Sequence, residues 1–395
     1  MQSNTKIYSK QKSNYKFAFH FGILFLLISA PLSFMSEGDI SIFMVLLFPL
    51  IGIGSLFFGW NMRKSFLHFG QTPMIPLPEI GQVGGQVGGR IELNKYYAQH
   101  NLFVTLNCMN KYTTTGATTD STTHTNTARY QVLWEEQIKP LYYPSNTGSS
   151  IDFCFDVPAG EYTKDTYKGR GSVYWEVCVE GLMDDVKFAR SWVVPVEEGN
   201  QLSSIVITDR HKEVSVNAIN KKAEVSIEQQ INTKKTFNGL NIVSEQGRNK
   251  LTSFLFLLMA AICSIVGYFS YDQYDLAMIL FSFLFLIPGC ILLCYGVFLI
   301  GRKLECKISG TTVITQRRLF GCLMSTNEGK LTSPEQLSLE VTISTTHNGK
   351  LTETMALYAN INSPISKKIK LVEGIEGRSA GEAMKKKILK ALFRK

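Results

Sequence analysis

The chain is poor in the residue clusters that do chemistry. Its six histidines (His20, His68, His100, His124, His211 and His347) never fall at metal-ligand spacing, which excludes a histidine-based zinc site. No CxxC pair occurs among the 8 cysteines, and the five outside the long apolar runs (Cys108, Cys154, Cys178, Cys306 and Cys322) are odd in number. That suits reduced thiols in a cytoplasmic setting and excludes a disulfide framework. No GxSxG elbow and no Gly-x4-Gly-Lys-Ser/Thr loop is present, so a serine hydrolase and a Walker-type nucleotide site are excluded. The glycine-rich run GQVGGQVGG at 81–89 contains no Gly-x-Gly and leads into a strand pattern instead of a helix, unlike a dinucleotide fingerprint. It reads as a turn anchored by Val83 and Val87, with a backbone nest for an anion beside Arg90 as the alternative. The adjacent carboxylates Glu135/Glu136 and Asp184/Asp185 point to opposite faces of a strand, so neither pair is an acid–base couple. No catalytic residue, cofactor or metal is expected.

Charge is missing from four long stretches: Phe17–Met35, Ile40–Trp60, Leu251–Phe269 and Leu276–Ile300 hold no Lys, Arg, Asp or Glu. At about 1.5 Å per residue each can cross a hydrocarbon core of about 30 Å, and the expectation is four membrane spans in two hairpins. Pro31 after "ISA" and the second run close behind speak against signal-peptide cleavage. Lys6, Lys10, Lys12 and Lys16 precede the first run, Arg63 and Lys64 follow the second, Arg248 and Lys250 precede the third, and Arg302 and Lys303 follow the fourth. The short connections carry Glu37 and Asp39, and Asp272 and Asp275. The charge bias puts both termini and both soluble segments in the cytoplasm, with the protein multi-pass in the cell's inner membrane. His20, near the basic end of the first run, reads as interfacial, with a proton relay as the alternative. Gly52, Gly54, Ser55 and Gly59 would allow close helix approach, and Pro49 and Pro288 are candidate helix breaks.

The segment between the runs reads as β. In IDFCFDVP, Ile151, Phe153, Phe155 and Val157 alternate with Asp152, Cys154 and Asp156; SVYWEVCVEG repeats the pattern with Val173, Trp175, Val177 and Val179. RIEL, LFVTLNC, YQVLWEE and FARSWVVPV add strands, while the threonine-rich 110–128 reads as a hairpin loop. Residues 200–250 stay open between strands (SSIVITDR, EVSVNAI) and an amphipathic helix (AEVSIEQQINTK). The succession GGQVGGRIEL, FVTLNC, a tryptophan strand, IDFCFDVP, GSVYWEVCVEG and FARSWVVPV resembles an arrestin-like β-sandwich over residues 80–198. Arrestin-like proteins usually carry two sandwiches, and this chain has room for one. With its flanking apolar pairs, the arrangement also resembles bacterial membrane-protein families of unknown function, which implies architecture and no chemistry.

The net charge of +9 sits entirely in the tail, where residues 301–395 hold 17 Lys and Arg against 8 Asp and Glu. Strand patterns (LECKISG, TVITQRRLFG, LSLEVTIST, TETMALYAN, KKIKLVEG) precede a helix in which Ser379 and Glu382 have the spacing of a capping box. Met384, Ile388 and Leu392 form its apolar stripe, and strands closed by such a helix resemble a small pleckstrin-homology-like barrel.

The sequence therefore predicts a multi-span α-helical membrane protein with an inserted all-β sandwich (arrestin/immunoglobulin-like) and a C-terminal small β-barrel plus helix. Its parts would be a leader 1–16, a transmembrane hairpin 17–60, a cytoplasmic sandwich segment 61–250, a second hairpin 251–300 and a basic domain 301–395. The expected partners are the bilayer, its anionic inner-leaflet lipids and a protein bound by the sandwich, not nucleic acid, with homo-oligomerisation open. Arg317, Arg318, Lys385, Lys386, Lys387, Lys390 and Arg394 are the candidates for contact with the membrane surface. The function expected is a non-enzymatic, membrane-anchored interaction or scaffold module, with a small transporter or channel component as the alternative.

Overall fold

The structure, a computed structural model, describes residues 5–12, 14–34, 39–116, 125–145, 148–237, 239–245, 250–271, 276–347, 350–361 and 367–393. The chain divides into two units, residues 1–23, 54–221 and 344–351 in one and 24–53, 222–343 and 352–395 in the other.

Two long apolar helices open the chain, α1 (Asn14–Phe34) and α2 (Asp39–Phe69), and α2 continues through Pro49. The end of α2 joins the core of the first unit, where the Phe69 ring meets Phe188 edge-on at 4.9 Å. The strands that follow are β1 (Met74–Pro76), β2 (Gly81–Val83), β3 (Gln86–Leu93), β4 (His100–Gly116), β5 (Thr125–Ile138), β6 (Leu141–Ser145), β7 (Gly148–Asp156), β8 (Ser172–Met183), β9 (Val186–Val194) and β10 (Val196–Glu198). They make two four-stranded sheets, in the orders β1-β3-β7-β6 and β5-β4-β8-β9, and a short parallel pair of β10 with β2. One core joins the two sheets: Ile151, Phe153 and Phe155 from one, Trp175, Val177 and Val179 from the other. The first unit is therefore a β-sandwich, and the period-two alternation is what builds it.

Asp152 and Arg190 are among the charged groups buried on these strands. Asp152 takes a bidentate pair from Arg90, its cross-strand neighbour (Nε–Oδ1 2.8 Å, Nη2–Oδ2 2.6 Å). Arg190 shares a face with Phe188 and Trp192, 5% exposed, and its guanidinium lies 5.1 Å from the Phe66 ring centre. Desolvation lowers its pKa to about 10, and it donates to the Phe66 carbonyl at 3.5 Å, in the last turn of α2, where the helix dipole favours a cation.

The glycine run is explained by crowding. A Cβ on Gly85 would lie 2.6 Å from the Gln201 carbonyl oxygen, and one on Gly88 2.6 Å from that of Leu77. The amides are already used: Gly84 donates to Val157, Gly85 to Gln82 and Gln86 to Gln201. With Arg90 held by Asp152, nothing is left to form an anion nest. Gly88→Ala should therefore lower stability by about 1–3 kcal/mol through overpacking against backbone that cannot move aside. Chemical denaturation in detergent micelles measures this, and a variant as stable as the parent would show that the three segments do not pack this closely.

After β10 the chain forms α3 (Asp209–Gln230), so EVSVNAI is helical and not a strand. The second unit comprises β11 (Asn232–Thr236), β12 (Gly239–Glu245), α4 (Lys250–Tyr271), α5 (Leu276–Gly301), β13 (Arg302–Ser309), β14 (Thr312–Leu319), β15 (Cys322–Lys330), β16 (Leu337–His347), β17 (Lys350–Ile361), β18 (Lys367–Glu376) and α6 (Arg378–Leu392). Its sheets are β11-β12-β13-β14-β15 and β16-β17-β18. They share a core with α6 that includes Ile242, Cys306, Leu357, Leu371, Met384 and Ile388. The basic tail does not fold from its own residues alone: β12 pairs with β13 from Gly239↔Ser309 to Glu245↔Lys303, so α4 and α5 are an insert between two neighbouring strands of one sheet.

The expected multi-span helical membrane fold is overturned. The chain is mostly β-sheet. Among the described residues only one helix, Ser282–Gly301 within α5, is long and apolar enough to cross a membrane, and Tyr15–Ile28 and Thr252–Ile265 are shorter. An apolar run does not by itself fix a spanning helix, since part of it can pack on a core or on a neighbouring helix. The end of α2 lies in the sandwich core, and α4 is packed along α5, where a Cβ on Gly289 would lie 3.1 Å from that of Cys263 and Ser282 Oγ donates to the Gly267 carbonyl at 2.6 Å. The transport alternative rested on four spans and loses that basis. The threonine-rich stretch also departs from expectation, because β4 and β5 extend into it on both sides; residues 117–124 lie outside the described residues.

Candidate membrane-surface site

The end of α5 passes directly into β13, and beside that junction the β14–β15 hairpin turns on Phe320 and Gly321. Both have positive φ, 49° and 86°, as a two-residue type I′ hairpin turn requires. Asn or Asp normally takes the first of these positions, and a bulky aromatic there is an outlier. Phe320 is held by its backbone N–H, which donates to the Gly301 carbonyl at 2.9 Å, and its ring lies where a side chain on residue 301 would stand. Yet the ring is 62% exposed, and Leu323 (55%) and Met324 (65%) beside it are exposed too. On the adjoining helix Leu284, Ile287 and Ile291 are 65%, 59% and 62% exposed. The helix exterior and the hairpin turn thus both present apolar side chains outward, next to four cations.

Those cations are Arg302, Lys303, Arg317 and Arg318, of which Arg302, Lys303 and Arg318 are paired with carboxylates. Arg302 Nη2 meets the buried Glu373 carboxylate at 2.7 Å and its guanidinium stacks 5.6 Å from the Phe298 ring centre. Glu305 takes Lys303 at 3.1 Å and Arg318 at 3.4 Å, and Arg318 also donates to Gln316 Oε1 at 3.0 Å. Arg317 is exposed, with no carboxylate in ion-pair reach among the described residues. The cluster carries surplus positive charge.

The sequence's two basic segments do not form one patch. Met384, Ile388 and Leu392 of α6 are buried in the core. Lys386 and Lys390 are exposed, Lys385 is half-buried, and Lys387 donates to Thr233 Oγ1 of β11 at 2.8 Å. β11 and β14 are separated by two strands, which at about 4.8 Å per strand places them roughly 14 Å apart. Arg394 lies outside the described residues. The expected capping box does not form. The N-cap is Gly377, at φ 89° and with no side-chain cap bond, so Ser379 falls inside the first turn. Leu323 and Met324 went unnoticed in the sequence; the signal for them was the Phe-Gly turn between two strand patterns.

The remaining candidates have structural roles. Asp184 and Asp185 form the β8–β9 turn at positive φ, and Asp184 accepts from the Gln99 N–H at 2.9 Å. Burial pushes the Glu136 carboxyl up. His20 Nδ1 lies 2.6 Å from the Lys16 carbonyl oxygen of its own helix. All eight cysteines are free, and burial pushes the Cys108 and Cys306 thiols up to about 12 and Cys154 to about 11, away from the nucleophilic thiolate. No cluster of metal-ligating residues occurs among the described residues.

No family model and no curated protein matches this chain. Among solved structures, the sporulation control protein Spo0M of Bacillus subtilis aligns with 65% of this chain and 88% of its own, at 9% identity and a TM-score of 0.20. So loose a likeness bears on neither function nor site, and the resemblance to bacterial membrane-protein families gains no support from it.

Proposed function

We propose that the protein is a non-enzymatic interaction or scaffold module attached to the cytoplasmic face of a membrane. Helix α5 is the anchor, the β14–β15 turn lies at the headgroup level, and the sandwich is offered to a protein partner. The observation that carries this reading is the exposed apolar exterior of α5 beside the exposed Phe320, Leu323 and Met324. Apolar groups of this size turned outward next to surplus cations suit a bilayer interface, where the apolar side chains enter the acyl region and the cations meet anionic headgroups. Two finer readings go with it. The Gly-led β3 and the two four-stranded sheets support an arrestin-like sandwich, and the five- and three-stranded sheets closed by α6 support a pleckstrin-homology-like second unit. Lys386 and Lys390 on α6 make a secondary basic surface.

A polarity-sensitive thiol probe on Cys322 reads the contact, in full-length protein with Cys290 and Cys294 changed to Ser and reconstituted into phosphatidylcholine vesicles. Its emission should shift to the blue as phosphatidylglycerol replaces phosphatidylcholine. Arg317→Gln should move the midpoint of that titration about fivefold, the worth of about 1 kcal/mol for one cation near an anionic surface. Emission indifferent to the headgroup would refute the placement of the turn.

A further inference from the structure

A groove of about 710 Å³ runs between α5 and the β14–β15 turn, lined by Cys290, Ile291, Cys294, Phe298, Leu319 and Phe320 among others. We propose that it holds one acyl chain of an anionic membrane phospholipid, with the lipid phosphate against Arg317. The inference rests on the reading of α5 as a membrane anchor and adds to it a bound lipid with a fixed seat.

Three features point to this occupant. The lining is carbon and sulfur almost throughout, and its volume is within the range of about 300–1,000 Å³ usual for small-ligand sites. Residues 290, 291, 294 and 298 recur at helical spacing on one face of α5, the face that continues outward through the exposed Ile287, so the groove opens along the helix surface where acyl chains would lie. Its far wall stands on a fixed backbone, because the Phe320 N–H bond to Gly301 holds that residue in a left-handed turn against the preference of its type, with the ring beside Gly301. A fixed wall offers a preformed seat, which lowers the ordering cost of binding. Charge then selects the headgroup. Of the cations at this end of the groove, Arg302, Lys303 and Arg318 are paired with Glu373 or Glu305, which leaves Arg317 for a phosphate.

The test uses the full chain in phosphatidylcholine vesicles doped with phosphatidylglycerol, or with phosphatidylcholine, carrying a diazirine in the acyl chain. After flotation and irradiation, adducts are located by mass spectrometry. The expected result is adducts on the peptide containing Leu319 and Phe320, several-fold more from phosphatidylglycerol than from phosphatidylcholine. Ile291→Trp, which fills the groove from a position 62% exposed, should lower those adducts at least fivefold while flotation is unchanged, and Cys294→Phe should do the same. Arg317→Gln should remove the headgroup preference. Protein that floats but gives adducts unaffected by either filling variant, or equal for the two lipids, overturns the lipid seat and leaves the anchor standing. Loss of lipid adducts, with p-benzoylphenylalanine at position 320 joining two copies on irradiation, would give the groove to a second chain. Protein that fails to float overturns both readings.

Discussion

Replacing Lys10 with alanine is expected to lower the stability of the sandwich unit by about 3–5 kcal/mol, the cost of leaving a buried charge without its partner. The residues before α1 run from β1, the edge of the other sheet, onto the outer face of the β5-β4-β8-β9 sheet. Ile7 and Met74 exchange backbone bonds of 2.8 and 2.9 Å, and Gln11 bonds both the Ser191 amide and its hydroxyl, at 3.1 and 3.2 Å. Along β8, Val173, Trp175, Val177 and Val179 face the core, so Tyr174 and Glu176 face this segment. Lys10 Nζ stands 2.9 Å from Glu176 Oε1 and 5.1 Å from the Tyr174 ring centre, over a carboxylate only 3% exposed. Truncating the lysine removes the partner and keeps the carboxylate covered. Lys10→Met with Glu176→Gln should recover most of the loss, because a covered ion pair is often no more stable than an apolar or neutral pair of similar volume. All 4 tryptophans (Trp60, Trp134, Trp175 and Trp192) belong to the first unit, so tryptophan fluorescence during denaturation in micelles follows this transition. A loss below about 1 kcal/mol for Lys10→Ala would mean that water reaches Glu176 and the segment is undocked.

That segment shows where sequence reading stops. Lys6 and Lys10 register as topology signals because local charge is all a sequence displays; their partners Glu92 and Glu176 are brought near only by the sheets. The strands of the sandwich were legible because a period of two is local, and Ile151, Phe153, Phe155 and Val157 keep it with both core and partner strands in place. Helix α3 was legible only in its second half, within AEVSIEQQINTK, for a specific reason. Its buried positions Ser215, Ala223 and Ile227, with Ile231 just past its end, fall at multiples of four, but Ser215 and Ala223 are polar or small, while Val214 and Val216, which suggest a strand, are 48% and 56% exposed. Ser215 is buried because its hydroxyl accepts the Lys139 N–H at 2.6 Å, a bond that no hydropathy pattern contains. The pairing of β12 with β13 across the inserted helices is likewise a long-range choice, invisible to any local window. As for the candidate site, Arg317 and Arg318 marked its cations, but their separation from the α6 lysines depends on strand order.

Changing Ile287 to arginine, near the middle of α5, should cost about 2.5–3.5 kcal/mol of membrane insertion, a factor of roughly 70 to 400 in partition. Ile287 is 59% exposed on the helix exterior, so the substitution disturbs little packing and its effect reports what surrounds the helix. In water an exposed arginine on a helix is harmless, with a helix propensity close to the best; in hydrocarbon it is among the costliest residues. Flotation of the full chain with phosphatidylcholine–phosphatidylglycerol vesicles after an alkaline wash measures the difference. Val206→Arg is the matched control, at a position 80% exposed in a segment without helix or strand, and it should float like the parent. Equal flotation of Ile287→Arg and the parent would place α5 outside the acyl region, and its apolar exterior would then have to be covered by protein. Loss confined to Ile287→Arg would make the bilayer the solvent of α5, and the exposed Phe320 turn beside the helix would then lie where hydrocarbon meets headgroup.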